Sequence, residues 1–423
     1  MTAPIHTLSN GLRVVADPLP GVRTFALTLA VEGGARFEDE RRSGWSHFLE
    51  HLVFKGAGDM SARDIVERIE GEGGTINAAT GYERTSFEVR ALAHSLPLAV
   101  RVVAELVRRP TLDEAEIVRE KDVVAQEIAE AFDTPDDHVF EMAQARAFEG
   151  QALGRPILGS VDSLQPIDRA ALAAWAGRLY SPDRMVLAAS GAVDPDQLVA
   201  LAEAAFGDAV SQPTVRPEPA RFQGGAATLS RRIEQANLVF QLPAADAHDP
   251  ILPAQRLFVE ILGGGMASRL FQSAREARGL AYAIDAYGET YEDAGVLGVF
   301  AGASADRAAE LAELTAAEIV GLAERGPTDA ELARAKAVLS AGLFMSDESL
   351  AARAGRLAVQ TLIYGAPVAT ETTDARLRAP GASEVAEAGR RMLSAGRAAA
   401  AVLGPRAAGP AARAFERALF AAA

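Results

Sequence analysis

The 423-residue sequence contains no cysteine and only six histidines. The first absence excludes disulfides, thiolate metal sites and a cysteine nucleophile, so any bound metal must be held by imidazole and carboxylate. Basic residues are the second shortage: 42 Lys and Arg stand against 57 Asp and Glu, a formal net charge of −15. Such a surface repels phosphate backbones and anionic lipid, so neither nucleic acid nor a membrane is expected as a partner. Apolar runs of the roughly 18 to 20 residues that cross a bilayer are also missing; Arg406, Arg413 and Arg417 break the Ala-rich tail. The N-terminal stretch MTAPIHTLSNGLRVVADPLP has no basic segment followed by an apolar one, so no signal peptide and a cytoplasmic location are expected. What remains, 49% hydrophobic and 23% charged residues, is a globular composition in a chain long enough for more than one core.

Proline and glycine concentrate in SQPTVRPEPARFQGG, from Ser211 to Gly225, where they break any helix or central strand. This stretch predicts a linker at 213–225 between a domain at 1–212 and one at 226–423. The two parts echo one another: PTLDEAEIVREKDVV from Pro110 and PTDAELARAKAVL from Pro327 share Pro, Thr, acidic and apolar positions when one gap is allowed. A duplicated domain is expected. Short strand-like runs (LRVVADPL, RTFALTLAV, RTSFEVRALA, NLVFQLP, GVLGVFAGAS) alternate with longer amphipathic segments. The fold class is therefore α+β, with two tandem homologous domains, each a mixed sheet covered by helices on one face.

The segment SGWSHFLEHLVFKG, Ser43 to Gly56, reads as a helix. At 100° per residue Trp45, Phe48, Leu49 and Leu52 form one apolar stripe, while His47, Glu50 and His51 share the opposite side. Two histidines at i and i+4 can aim both imidazoles at one divalent ion, and the Glu before the second His reaches a water on that ion. The order His-x-x-Glu-His is that of the inverted zincins; a solvated polar face is the alternative. A third ligand is sought in Thr111 to Glu130, a helix expected to open with a capping box from Thr111 and Glu114. Its apolar positions Ile117, Val124 and Ile128 share a face with Glu120 and Glu127. A buried carboxylate must be paired, protonated or metal-bound, so Glu127 is the expected third ligand and Glu120 its support, against the alternative that both are solvated.

HFLEHLVFKG, followed by EIVREKDVVAQEI with Glu127 placed 76 residues after His51, closely resembles the pitrilysin-like (inverzincin, M16) zinc metallopeptidases, in particular the half-length group that includes the mitochondrial processing peptidase and its bacterial relatives. The resemblance implies zinc on His47, His51 and Glu127, one ion per chain, with Glu50 as general base and Glu120 supporting the site. GGTINAATGYERTSFEV from Gly73 is similar to the segment before the family's active-site strand, which implies that Asn77 and Ala78 contact the peptide backbone. ILGGGMASRLFQSAREARGLAYAIDAY resembles the family's glycine-rich loop with its Arg and Tyr pair, here Arg275 and Tyr282, which implies that they stabilise the scissile carbonyl. On the residues alone, Gly263 to Gly265 would read as a flexible loop and the pair as surface residues; no Gly-Lys-Ser/Thr follows to make a phosphate loop.

The resemblance further implies a metalloendopeptidase that cleaves unfolded peptides or presequence-like segments in an enclosed chamber, each chain forming half of a clamshell. A homodimer with the site completed across subunits is the expectation, since one chain carries both motifs. The alternatives are one half of a heterodimeric processing peptidase, or a non-catalytic assembly subunit like the respiratory-complex core proteins. Manganese or cobalt would also suit a His-and-carboxylate site.

Overall fold

The computed structural model describes residues 3–213 and 216–421; residues 214 and 215, within the expected linker, lie outside the described residues, as do the outermost residues of the expected domains. The chain divides into two compact units, Met1–Ala129 with Pro156–Pro217 and Phe344–Thr370, and Glu130–Arg155 with Glu218–Leu343 and Glu371–Ala423. Among the described residues no helix is long and apolar enough to cross a membrane.

The first unit is built on strands β1 (Ile5–Thr7), β2 (Arg13–Pro18), β3 (Thr24–Glu32), the short pair β4 (Gly56–Ala57) and β5 (Met60–Ser61), then β6 (Thr75–Thr80), β7 (Arg84–Leu92) and β8 (Met185–Gly191). Six of them form one sheet in the order β1-β2-β8-β3-β7-β6, antiparallel except for the parallel pair β2 and β8. The second unit holds β9 (Gly225–Ser230), β10 (Gln235–Ala244), β11 (Ala281–Thr290), β12 (Gly295–Ser304) and β13 (Ala399–Gly404), ordered β11-β12-β10-β13-β9. Read from the other edge, β9-β13-β10-β12-β11 repeats β2-β8-β3-β7-β6 in chain order, and its single parallel pair, β9 with β13, occupies the same place. The echo between the two halves of the sequence is therefore a repeated topology.

Helices α1 (Trp45–Val53), α2 (Ala62–Gly71) and α3 (Leu96–Arg108) follow from their apolar spacing. In α1 the stripe Phe48, Leu49, Leu52 and Val53 is fully buried, each side chain contributing about 2 kcal/mol of transfer free energy. Trp45 donates its indole N–H to the Ser163 carbonyl at 2.9 Å. The helix is aimed by its first turn. Gly44 takes φ +87, where an added Cβ would meet the Leu158 carbonyl oxygen at 2.4 Å, and the buried Glu38 carboxylate accepts from the Gly44 and Ser46 amides at 2.8 and 2.6 Å. A carboxylate there satisfies orphan donors and opposes the helix dipole.

Helix α4 (Glu114–Asp133) begins three residues later than the sequence suggests. The expected box of Thr111 and Glu114 is replaced by Asp113, whose Oδ1 accepts from the Ala115 and Glu116 amides at 2.8 and 3.2 Å. Thr111 is committed elsewhere, its amide and hydroxyl both donating to the Gly56 carbonyl.

The main helices line one face of each sheet, and one further helix closes the centre of the opposite face. In the first unit it is the helix Leu350–Tyr364, whose Ala358 packs with Val15, Ala30, Val186 and Ala188. Arg353 fastens it by donating from Nε and Nη2 to Asp17 at 2.7 and 3.0 Å. In the second it is α5 (Pro135–Ala147), whose Val139 and Ala143 pack with Val239, Ala401 and Leu403. Each unit is thus completed by a helix from the other half of the chain, an exchange that the linear division at 213–225 does not contain.

Candidate metal centre

Helix α1 presents His47, Glu50 and His51 on the side opposite its apolar stripe, one turn carrying both imidazoles. Helix α4 brings Glu127 to them: His47 Nε2 and His51 Nε2 lie 3.9 and 3.7 Å from Glu127 Oε2, and the three ligand atoms all fall within 4.8 Å of one another. Ligands on a tetrahedral zinc stand about 3.3 Å apart, so a small contraction closes the set. The chemistry of the set fits zinc and leaves a fourth position for water.

His51 Nδ1 is 3.0 Å from Glu120 Oε2. Glu120 is the acceptor, so Nδ1 carries the proton and the Nε2 lone pair faces Glu127, the arrangement that orients a metal-binding imidazole. Lys55 Nζ holds the other carboxylate oxygen at 2.6 Å. Burial alone would raise Glu120, but the hydrogen bonds from Lys55 and His51 outweigh it and keep the carboxyl below its ordinary range. Lys55, in the turn just past the end of α1, is a member of the site that the motif does not announce; its closeness in sequence to His51 is the signal that points to it.

Two carboxylate oxygens at this point are buried without a hydrogen-bond partner: Glu50 Oε2 and Glu127 Oε2. Orphaned buried groups clustered around one spot call for a further binding partner there. Burial, together with the charge of Glu127, raises Glu50 above the usual carboxylate range against the opposing hydrogen bonds from Thr80 and the charge of His51, a direction that suits a proton acceptor. The fully buried Tyr180 phenol is pushed up by burial first and by the Glu50 charge second.

His47 is pushed down to about 4 by burial, with the charge of His51 as the lesser cause, so its imidazole is neutral and its lone pair is available. In the unfolded chain it titrates at its ordinary 6.5. The unfolded state therefore binds more protons between pH 6.5 and 4, and this contribution to stability is lost as pH falls through that window. Relative to a His47→Gln variant, the metal-free wild type should lose roughly 3 kcal/mol between pH 7 and pH 4, measured by denaturant titration. Parallel stability profiles for the two proteins would refute the assignment.

Asn77 and Ala78 sit in β6, the outer strand of its sheet, paired with Glu88 and Phe87 on the inner side. Asn77 is exposed and Ala78 half-buried. The free edge of β6 can take an extended peptide as a further strand. Arg275 and Tyr282 belong to the second unit. Arg275 lies in the π-helical turn Phe271–Glu276 with its guanidinium 4.8 Å from the Phe271 ring centre. Tyr282, 67% exposed, stands at the start of β11 where the register shifts between Ala281 and Ala283. Gly263, read from the residues alone as a flexible loop position, is a packing glycine: a Cβ there would meet the Ala286 amide nitrogen of β11 at 2.5 Å.

Residues 13–161, which include His47, His51 and Glu127, match the family described as Insulinase (Peptidase family M16). Residues 166–339 match its companion, Peptidase M16 inactive domain. An uncharacterized zinc protease of Mycobacterium tuberculosis is 37% identical over 407 residues, covering 94% of this chain and 92% of its own. Another from Rickettsia bellii is 32% identical over 402 residues, 95% and 97% of the two chains. The crystal structure of a protease from Helicobacter pylori superposes with a TM-score of 0.89 at 20% identity, covering 96% of this chain and all of that one. A peptidase M16 inactive domain from Pseudomonas fluorescens gives 0.87 at 20%, covering 96% and 98%.

Proposed function

Since this chain belongs to the M16 peptidase family, we propose that it is a zinc-dependent endopeptidase acting on unfolded peptides or presequence-like segments, with one zinc held by His47, His51 and Glu127. The observation that carries this reading is the convergence of those residues on one spot, beside the Glu50 carboxylate, whose Oε2 is buried without a hydrogen-bond partner. A bound zinc supplies Lewis acidity, making its water acidic near neutral pH and polarising the peptide carbonyl. Glu50 takes the proton of the attacking water and delivers it to the leaving amine. Glu120 fixes the His51 tautomer, and Lys55 keeps Glu120 ionised. The β6 edge, with Asn77 and Ala78, holds the peptide backbone extended.

Arg275 and Tyr282 are proposed to complete the site across a homodimer, one copy facing the zinc of the other and stabilising the oxyanion. The support for this arrangement is that one chain carries both groups of residues. A fully active monomer at micromolar concentration would overturn it.

The test of the function is hydrolysis of a quenched unfolded peptide by purified protein, with metal content measured on the same sample. Chelation should abolish cleavage, and about one zinc per chain should restore it. Bound zinc without cleavage would favour one half of a heterodimeric enzyme. A protein that takes up no metal would favour a non-catalytic assembly subunit.

A further inference from the structure

The edges of the two large sheets are β1 and β6 in the first, β11 and β9 in the second, and they are protected unequally. An edge strand offers unpaired amides and carbonyls to any extended chain, and proteins blunt it by shortness, charge, proline or a bulge. Strand β1 is three residues long. Strand β11 carries Asp285 and Glu289 and shifts register between Ala281 and Ala283. Strands β6 and β9 have none of these devices: TINAAT and GAATLS are six-residue runs without charge or proline. In the peptidase reading the β6 edge takes the substrate backbone, whereas the β9 edge has no such role. The counterpart of β9 in the first sheet, β2, is covered by the antiparallel β1, and among the described residues no strand covers β9 in that way. Against β9 lies a groove of about 830 Å³, lined by Ala226 and Thr228 of the strand, by Glu313 of the helix Ala308–Arg325, and by Arg406, Arg413 and Arg417. Arg417 is paired with Glu313 at 2.9 Å, but Arg406 and Arg413 make no side-chain hydrogen bond or ion pair among the described residues. Three arginines against one glutamate form a basic spot on a chain of formal net charge −15.

We propose that the β9 edge receives an extended acidic segment of a partner polypeptide as a sixth strand, with Arg406 and Arg413 holding its carboxylates. This binding is independent of the peptidase reading. A strand added to an edge turns alternate side chains to the two faces of the sheet. On β9, Leu229 packs on one face against the cluster that contains Val139 of α5, while Ala226 and Thr228 face the groove on the other. The segment that fits therefore carries Asp or Glu at every second position, aimed at the arginines, with small or apolar side chains between them. Each guanidinium can take a carboxylate by two parallel hydrogen bonds. The acidic remainder of the surface repels such a segment, so the field of the molecule steers it to this edge.

The test uses the full chain carrying Glu50→Gln, so that no probe is cut, and short fluorescent peptides that alternate Thr with Glu, Gln or Lys. Anisotropy should show the Glu peptide binding about tenfold more tightly than the Gln peptide, with the difference shrinking at high salt because the arginines are exposed, and the Lys peptide should not bind. Amide exchange read by mass spectrometry should slow at Gly225–Ser230 when the Glu peptide is added. Only one set of peptide amides faces the edge, so N-methylation of either the Glu or the Thr residues should abolish binding while the other pattern is tolerated. Replacing both arginines, Arg406→Ala with Arg413→Ala, should bring the Glu peptide down to the affinity of the Gln peptide, with melting temperature and zinc uptake as in the parent. Arg413→Glu with Arg406→Glu should transfer binding to the Lys peptide. Exchange protection at β6 without any at β9, equal binding of the two methylated peptides, or undiminished affinity in the double alanine variant overturns the proposal. A parent that binds no acidic peptide, paired with a double alanine variant that self-associates, would also overturn it and assign the arginines to guarding the edge.

Discussion

Glu50→Gln should lower kcat/KM for an unfolded peptide by roughly 10³ to 10⁴-fold while zinc content stays near one per chain. The side chain keeps its volume and its place on α1, so the buried stripe beneath it and the ligands on either side are undisturbed. Only the basic oxygen is lost. An amide cannot take the proton of the attacking water, and the orphaned Oε2 of the wild type is the atom that would do so. Its raised proton affinity, caused by burial and the nearby Glu127, also favours holding the proton until the amine leaves. Substantial turnover in a Glu50→Gln sample shown to contain metal would remove Glu50 from the mechanism.

Glu127→Ala should have an equally large effect on activity by a different route. Two imidazoles on one helical turn are an incomplete set for zinc, and the proposed third ligand, Glu127, comes from a separate helix. Without it, retained zinc after dialysis should fall below about a tenth of an atom per chain. Glu120→Gln, which leaves the ligands in place and weakens only the orientation of His51, should cost about 10 to 100-fold in metal affinity. Metal titration of the three proteins gives the order wild type, Glu120→Gln, Glu127→Ala. A Glu127→Ala protein that binds zinc like wild type would show that the third ligand lies elsewhere.

The sequence was most informative where a pattern is local. The His-x-x-Glu-His turn is legible because helical geometry alone places its residues, and the five strand-like runs coincide with β2, β3, β7, β10 and β12 because alternation or β-branched character marks them. Strands β8 and β13 were harder: MVLAASG and AAAVLG are buried along their whole length and rich in alanine, which has little strand preference of its own. The contributions that depend on distant parts of the chain left no local trace. Glu38 caps α1 through a turn, Asp113 displaces the apparent box because Thr111 is tied to Gly56, and Thr80 reaches Glu50 from β6. Amphipathicity tells that a helix will bury one face without telling which sheet it will meet, so the exchange of α5 and the helix Leu350–Tyr364 had no signature.

That exchange bears on synthesis. The last strand of the first sheet, β8, ends at Gly191, whereas the helix that covers the far side of Val15, Ala30, Val186 and Ala188 ends at Tyr364. At 5 to 20 residues per second a ribosome needs roughly 10 to 30 s to bridge that gap. For that interval the emerging N-terminal part can assemble its strands yet must carry an open apolar strip. The chain cannot mature domain by domain as it leaves the ribosome; its first half waits on the second.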